Sequence, residues 1–439
     1  MQHGLFARFK NHPLIHLLLN LKGNPKVLTF IEPLWGIPHS LIAPFTTVYM
    51  RALGVSTLQI GFALSITMLF QVVLSFAGGI IADKMGRKLS TIMGDLLGWV
   101  LPCLIWAFAQ NYWFFLAAMI LNSFEQVNQT SWSCLLIEDA QPKAVLGIYN
   151  WVTISGLLAV FFSPISGALI SHFSLVPVVR ALYATFAICM VFKCAITARY
   201  ATETNQGKIR MQESKNKHPI SMAVQHIKQI PQMFKRKSIV RVLLIIVVLF
   251  TTTMISNNFV SLYATSTLQI PDSYLAYFPI LRALVMLFFF FAIENKHRKL
   301  RMKAPMTFGL IIYIASQILL VFSMPGTIWP LIIYTLLEAI AFALVVPRKD
   351  ALMVIAIEPE NRARIVALLF AVMVGFSSPF GSVAAWLYRM DSRLPFVFSA
   401  CLFLFAIWIV SRFKEKEIAP STGKDTAEKA SANMPGGET

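Results

Sequence analysis

Apolar stretches of about twenty residues recur twelve times along the chain, and no other feature limits its fold so severely. As a helix rising about 1.5 Å per residue, each is long enough to cross the ~30 Å hydrocarbon core of a bilayer. They lie near residues 26–50, 57–81, 89–110, 112–136, 145–171 and 176–199, and, after a polar gap, near 239–264, 273–293, 305–324, 327–347, 365–388 and 394–412. No water is present at membrane depth to satisfy backbone N–H and C=O groups, so spans of this length must be helical; barrel strands would be half as long and alternate in polarity. The expected fold class is all-α, an integral membrane protein with six spans on either side of the gap.

Composition agrees. Only 13% of the 439 residues are charged, about half the usual share of a soluble domain, and the mean hydropathy is +0.66. The net charge of +18 invites a nucleic-acid reading, which the distribution of the charge excludes. With an even number of spans both termini lie on one side, and if that side is cytoplasmic, 32 of the 38 Lys and Arg fall in cytoplasmic segments. Arg51, Arg180, Arg389 and Arg393 lie outside, and Lys193 and Arg282 within spans. That is the positive-inside pattern, whereas a nucleic-acid binder gathers its basic residues on one soluble face. The expected setting is the plasma membrane, with lipid as the main partner and no nucleic acid.

Five segments follow: a cytoplasmic N-terminal stretch (1–25), a first six-helix bundle (26–200), a basic linker (201–238), a second bundle (239–412) and a disordered cytoplasmic tail (413–439). Leu14 to Leu21 can lie as a short helix at the membrane surface, and no small-residue cleavage pattern precedes the first span. In the linker Val224, Ile227, Ile230 and Phe234 recur at helical spacing, which gives an amphipathic helix against the inner leaflet. All five cysteines fall in apolar spans without metal-ligand spacing; they are expected to be packing residues, with no metal or other cofactor.

The halves also echo each other. Ile137-Glu138 precedes span five and Ile357-Glu358 precedes span eleven; both spans then carry Ser-Pro (Ser163-Pro164, Ser378-Pro379) and a nearby glycine (Gly167, Gly381). The basic loop 83–88 after span two has a partial copy at 294–299 after span eight. Landmarks repeating at one offset mark a duplicated half.

Gly78-Gly79-Ile80-Ile81-Ala82-Asp83-Lys84-Met85-Gly86-Arg87-Lys88 follows the second span. It resembles the signature G-x-L-a-D-r-x-G-r-k of the major facilitator superfamily of secondary carriers, in the loop and the six-plus-six layout where that family has it. The residues make physical sense by themselves. Gly79 allows close helix approach, Gly86 a tight turn, and Asp83 can cap a helix N-terminus while pairing with Arg87 or Lys88. In the family this loop is a latch between the halves, its acid set against the start of helix eleven; the copy at 294–299 lacks the glycines. Ser163-Pro164-Ile165-Ser166-Gly167-Ala168 in span five is similar to the G-P-x-x-G-G stretch of drug/proton antiporters, keeping the proline and one glycine. A proline kink packed on small neighbours explains the same residues.

The resemblance implies a central cavity faced by helices 1, 2, 4, 5, 7, 8, 10 and 11. Ionisable groups at membrane depth are costly and usually face such a cavity, which selects Glu32, Glu125, Arg282 and Glu338. Asp95 and Lys193, on outer spans, are expected to snorkel or pair locally. At 100° per residue Asn122, Glu125, Gln126, Gln129 and Ser133 share one face of span four, which should meet water or substrate. This span lacks the arginine that antiporters often place there, and Glu125 can carry a proton in its stead, since desolvation favours a neutral acid. Arg282 and Glu338 can form an ion pair. Gln71, Asn257, Asn258 and Tyr263 add hydrogen-bonding groups. The tryptophans are expected to pack or anchor at the interface.

With no phosphate-binding loop, metal cluster or hydrolytic constellation, the chain is not expected to be an enzyme. The expected function is alternating-access transport of a small organic solute by a monomer, as proton-coupled efflux. Uptake of a polar nutrient and a non-transporting sensor stay open, and the substrate is not legible.

Overall fold

A computed structural model describes residues 18–215, 237–292, 303–356 and 362–412. The linker helix expected at 224–234, the loop copy at 294–299, Glu358 and the tail lie outside these residues. Among those described the regular elements are all helical. Among the described residues nine helical runs are long and apolar enough to cross a membrane. The other three spans account for the difference from twelve: one and four are broken into shorter helices, and the described α-helix of span eight, Phe278–Ala292, has 15 residues.

The breaks have chemical causes. Span one runs as Gly23–Ile31, Pro33–Ile42, a 3₁₀ turn Ala43–Phe45 and Thr46–Ala52. Pro33 and Pro44 bring no N–H to the ladder, and their rings clash with the preceding turn. Span five breaks between Pro142–Val160 and Ser163–Phe173, and span eleven between Arg362–Ser377 and Pro379–Met390. Both interruptions fall at the repeated Ser-Pro step. Span three is Arg87–Asp95, a π turn Leu96–Val100 and Leu101–Ala107, in which the Leu101 N–H donates to the carbonyl of Leu96, five residues back. Span four is Tyr112–Asn122 followed by Glu125–Ile137.

The two halves meet along two seams on the face opposite the basic loops. Span two (Thr57–Met85) crosses span eleven, with Ser65 Oγ 2.9 Å from both the Ser382 N–H and its hydroxyl. Span five meets the 3₁₀ turn Asp272–Tyr277 at the head of span eight, where a Cβ on Gly167 would lie 2.5 Å from the Ser273 carbonyl oxygen. Both repeat glycines thus sit at half-to-half contacts, where only a missing side chain allows backbones so close.

Trp99, Trp106, Tyr183 and Phe186 pack inside the first half, and the buried Tyr49 hydroxyl donates to the Trp106 carbonyl at 2.8 Å. Trp113 and Trp329, near the starts of spans four and ten, are about 70% exposed, as interface anchors are. Phe62, Phe192, Phe308, Phe322 and Trp408 also point outward. In water such a surface would drive association; in a bilayer it is the contact with lipid.

Candidate functional site

A cavity of about 620 Å³ lies between the halves, lined by spans one and five from the first and seven, eight and ten from the second. Its walls are mostly apolar, and four side chains named from the sequence reach it: Asn257 and Asn258 on span seven, Arg282 on span eight and Glu338 on span ten. Arg282 Nε lies 3.3 Å from Glu338 Oε2, and the guanidinium stacks 4.8 Å above the Phe342 ring. The arginine is partly open to the cavity while the glutamate is buried, so the pair presents its cationic side. Ser256, Tyr334, Thr335 and His39, unremarked in the sequence, also line it; Tyr334 donates to Ser256 Oγ at 3.2 Å. A signal was available for His39, since it follows Trp35 by one helical turn and their rings stack at 4.7 Å.

The other expected cavity residues are elsewhere. Tyr263 is fully buried, its hydroxyl on the Leu320 carbonyl. The polar face of span four does not survive, because the break at Ser123–Phe124 separates Asn122 from the residues after it. Asn122 donates to the Gly98 carbonyl at 2.7 Å, bracing the π turn of span three. Gln126 is buried, Gln129 exposed, and Gln71 half-buried outside the cavity lining. Glu32 and Glu125 sit at the breaks of spans one and four and feel the charges of Asp95 and Lys193. Asp95 and Lys193, expected on outer spans to snorkel or pair locally, do the second: both are buried, 3.4 Å apart.

The packing behind this arrangement is set by glycine. A Cβ on Gly94 would lie 2.7–2.8 Å from the Asn128 backbone and Cβ, and one on Gly98 2.8 Å from the Glu125 nitrogen. The four-residue spacing of small residues brings span four against span three. Gly94→Val is therefore expected to prevent recovery of a monodisperse protein by gel filtration; a normal elution profile would contradict this packing.

At the loop after span two, Arg87 is buried and bonds to Asp83 Oδ1 at 2.7 Å and to Glu138 Oε1 at 3.2 Å. The expected cap is not Asp83. The N–H groups of Arg87 and Lys88 donate to the two carboxylate oxygens of Glu203 at 2.9 and 3.0 Å, an acid 115 residues away in sequence that satisfies the N-terminus of span three. Helix Asn205–Ser214 then packs on span two, its Ser214 hydroxyl on the Asp83 carbonyl at 2.8 Å. Gly86 has φ +87°, as the tight turn requires. The glycine in close contact is Gly78, whose Cβ would be 3.2 Å from Val127 Cα; around Gly79 there is open space. Residues 357–361, just before span eleven, lie outside those described.

The sequence profile of the Major Facilitator Superfamily matches residues 36–347. The chain belongs to this family. It is a multi-pass membrane transporter, and it is not an enzyme. Among curated proteins it is similar to the multidrug resistance protein MdtG of Salmonella paratyphi A, with 27% identity over 179 residues, 39% of this chain and 44% of that protein. An uncharacterised MFS-type transporter of Bacillus subtilis, YqjV, is 28% identical over 130 residues, 29% of this chain and 32% of that one. These matches span less than half of the relatives' length. Among solved structures, the nucleoside transporter NupG superposes with a TM-score of 0.68 at 15% identity, over 90% of this chain and all of that one. A POT family transporter in complex with 5-aminolevulinic acid gives 0.70 at 12% identity, over 90% and 96%. At such identities the agreement is one of fold.

Proposed function

We propose that this member of the family is a proton-coupled exporter of small, largely apolar organic solutes, working as a monomer in the cell membrane with both termini in the cytoplasm. The observation that carries the reading is the cavity between the halves, mostly apolar in its walls and holding the Arg282–Glu338 ion pair, its glutamate buried and its arginine partly open to the cavity. A buried pair costs desolvation and adds little stability by itself. In a cavity it is a switch: a cationic solute competes with Arg282 for Glu338, and an anionic one competes with Glu338 for Arg282. The apolar lining binds the remainder of the solute without demanding a shape. The partial likeness to MdtG, a multidrug resistance protein, fits a role in drug export. Seams closed on the face opposite the basic loops fit a state open to the cytoplasm, the starting point of export.

The test is uptake of a lipophilic cationic dye into inside-out vesicles under an imposed pH gradient. Wild type is expected to concentrate the dye, and Glu338→Gln to lower the rate about tenfold or more, equivalent to about 1.4 kcal/mol. Absence of gradient-driven uptake in wild type would sink the reading. A second reading, uptake of a polar nutrient by proton symport, draws on the polar group Ser256, Asn257, Asn258, Tyr334 and Thr335 on one wall. It predicts competition by one class of polar metabolites and none by lipophilic cations.

A further inference from the structure

Four charged side chains of the first half come together away from the cavity. Asp95 on span three is fully buried; it accepts a hydrogen bond from Asn128 Nδ2 at 2.8 Å and faces Lys193 Nζ of span six at 3.4 Å. Lys193 is only 3% exposed. Glu32 of span one and Glu125 of span four each feel the charges of both members of that pair. Among the described residues Cys194 is the one further titratable side chain coupled to the group, its thiol directed at the Ile92 carbonyl at 4.0 Å.

The charges do not balance. Three carboxyl groups face one ammonium, so full ionisation would leave two uncompensated negative charges inside the bilayer, where an unpaired charge is costly enough that a proton is taken up instead. Hydrogen bonding is short as well. Buried Glu32 Oε2 and Asn128 Oδ1 have no hydrogen-bond partner, and Asp95 Oδ2 has only the ammonium beside it. Asn128 as a whole is 8% exposed, so its unpartnered oxygen cannot turn to bulk water. Unsatisfied buried acceptors beside acids are what protons on those acids would serve.

The backbone is irregular at each acid. Glu32 stands between helices Gly23–Ile31 and Pro33–Ile42, Glu125 begins the second helix of span four, and Asp95 immediately precedes the π turn Leu96–Val100. π turns and helix breaks concentrate at functional positions because they let a span bend at that point. Glu32 and Glu125 are only half-buried as residues, whereas Asp95 and Lys193 are sealed.

We propose that Glu32, Asp95, Glu125 and Lys193 form a site for two protons, exchanged through Glu32 and Glu125, with Asp95 and Lys193 as a fixed counter-charge. Each proton is gained from water by a carboxylate and returned to water on the other side of the cycle, with no covalent bond other than O–H made or broken. The site is separate from Arg282–Glu338: the protons bind within the first half, outside the lining of the cavity between the halves that the solute occupies. Binding of the protons stands on the cluster itself, and their part in coupling rests on the export reading above.

Infrared difference spectroscopy of the purified full chain in lipid, between neutral pH, where exposed carboxyls are already ionised, and alkaline pH, counts protonated buried carboxyls by their C=O stretch. Charge balance predicts that the band halves in Glu32→Gln and in Glu125→Gln, vanishes in the double variant, and grows by half in Lys193→Met. A band unchanged in both single Gln variants overturns the site. In inside-out vesicles the double variant is expected to equilibrate dye yet lose the accumulation that a pH gradient drives; wild-type accumulation would overturn its coupling role. Wild-type protein that moves no dye while the band pattern holds would remove the export reading and leave the proton site standing.

Discussion

Arg87→Ala is expected to lower the melting temperature of the purified protein and to reduce gradient-driven transport by more than an order of magnitude. The side chain is 6% exposed and reaches two carboxylates from different elements, Asp83 at the end of span two and Glu138 at the end of span four. Removing one partner of a buried ionic group leaves the others uncompensated, at about 3–5 kcal/mol in fully buried cases. Asp83 is 29% exposed, so solvent screens part of the loss and the lower end of that range applies. Arg87→Lys is expected to recover only part of it, because a point charge cannot span two carboxylates as the guanidinium fork does. Thermal unfolding in detergent checks the stability effect and vesicle transport the functional one. An alanine variant that melts like wild type would show that the network contributes nothing to holding the loop.

Much of this was legible beforehand for a plain reason. Membrane spans announce themselves by length and apolarity, and the Asp83 to Lys88 loop is a local signature whose residues act on one another within a single turn, as the Asp83–Arg87 pair shows. The Ser-Pro steps at Ser163 and Ser378 announced two helix breaks, since proline acts on its own preceding turn. What stayed hidden depends on distance in sequence or on broken periodicity. Glu203 caps span three from 115 residues away, with nothing local to tie it to Lys88. At 100° per residue span four presents one polar face, but the break at Ser123–Phe124, which contains no proline to mark it, splits that face and turns Asn122 to Gly98. Gly94 and Gly98 carry a recognisable four-residue spacing of small residues and were the missed clue that span three packs on span four. That packing places Glu125 beside Asp95 and away from the cavity.

Alternating access requires the closed face to part, and the seam between spans two and eleven that closes it has no room for a side chain. A Cβ on Gly61 would lie 2.1 Å from Ala385 Cβ and 2.5 Å from the Gly381 carbonyl oxygen; one on Gly381 would meet Ser65 Oγ at 2.9 Å and the Gly61 carbonyl at 3.0 Å. Gly61→Leu is therefore expected to forbid the state closed on this face and hold the protein open there, with transport reduced at least tenfold (about 1.4 kcal/mol) even though the fold is kept. The bulk is added at an interface between halves that must part in any case, so the strain is relieved by opening the seam and leaves each bundle intact. The direct measurement is labelling of Ser65→Cys, in a background with the five native cysteines replaced, by a membrane-impermeant thiol reagent added from that face. Ser65 is nearly buried beneath Ser382, so labelling should be slow in the parent and fast with Gly61→Leu. Equal labelling rates with unimpaired transport would mean that the seam accommodates the side chain without opening. The close approach of Gly61 and Gly381 would then not be part of the transport cycle.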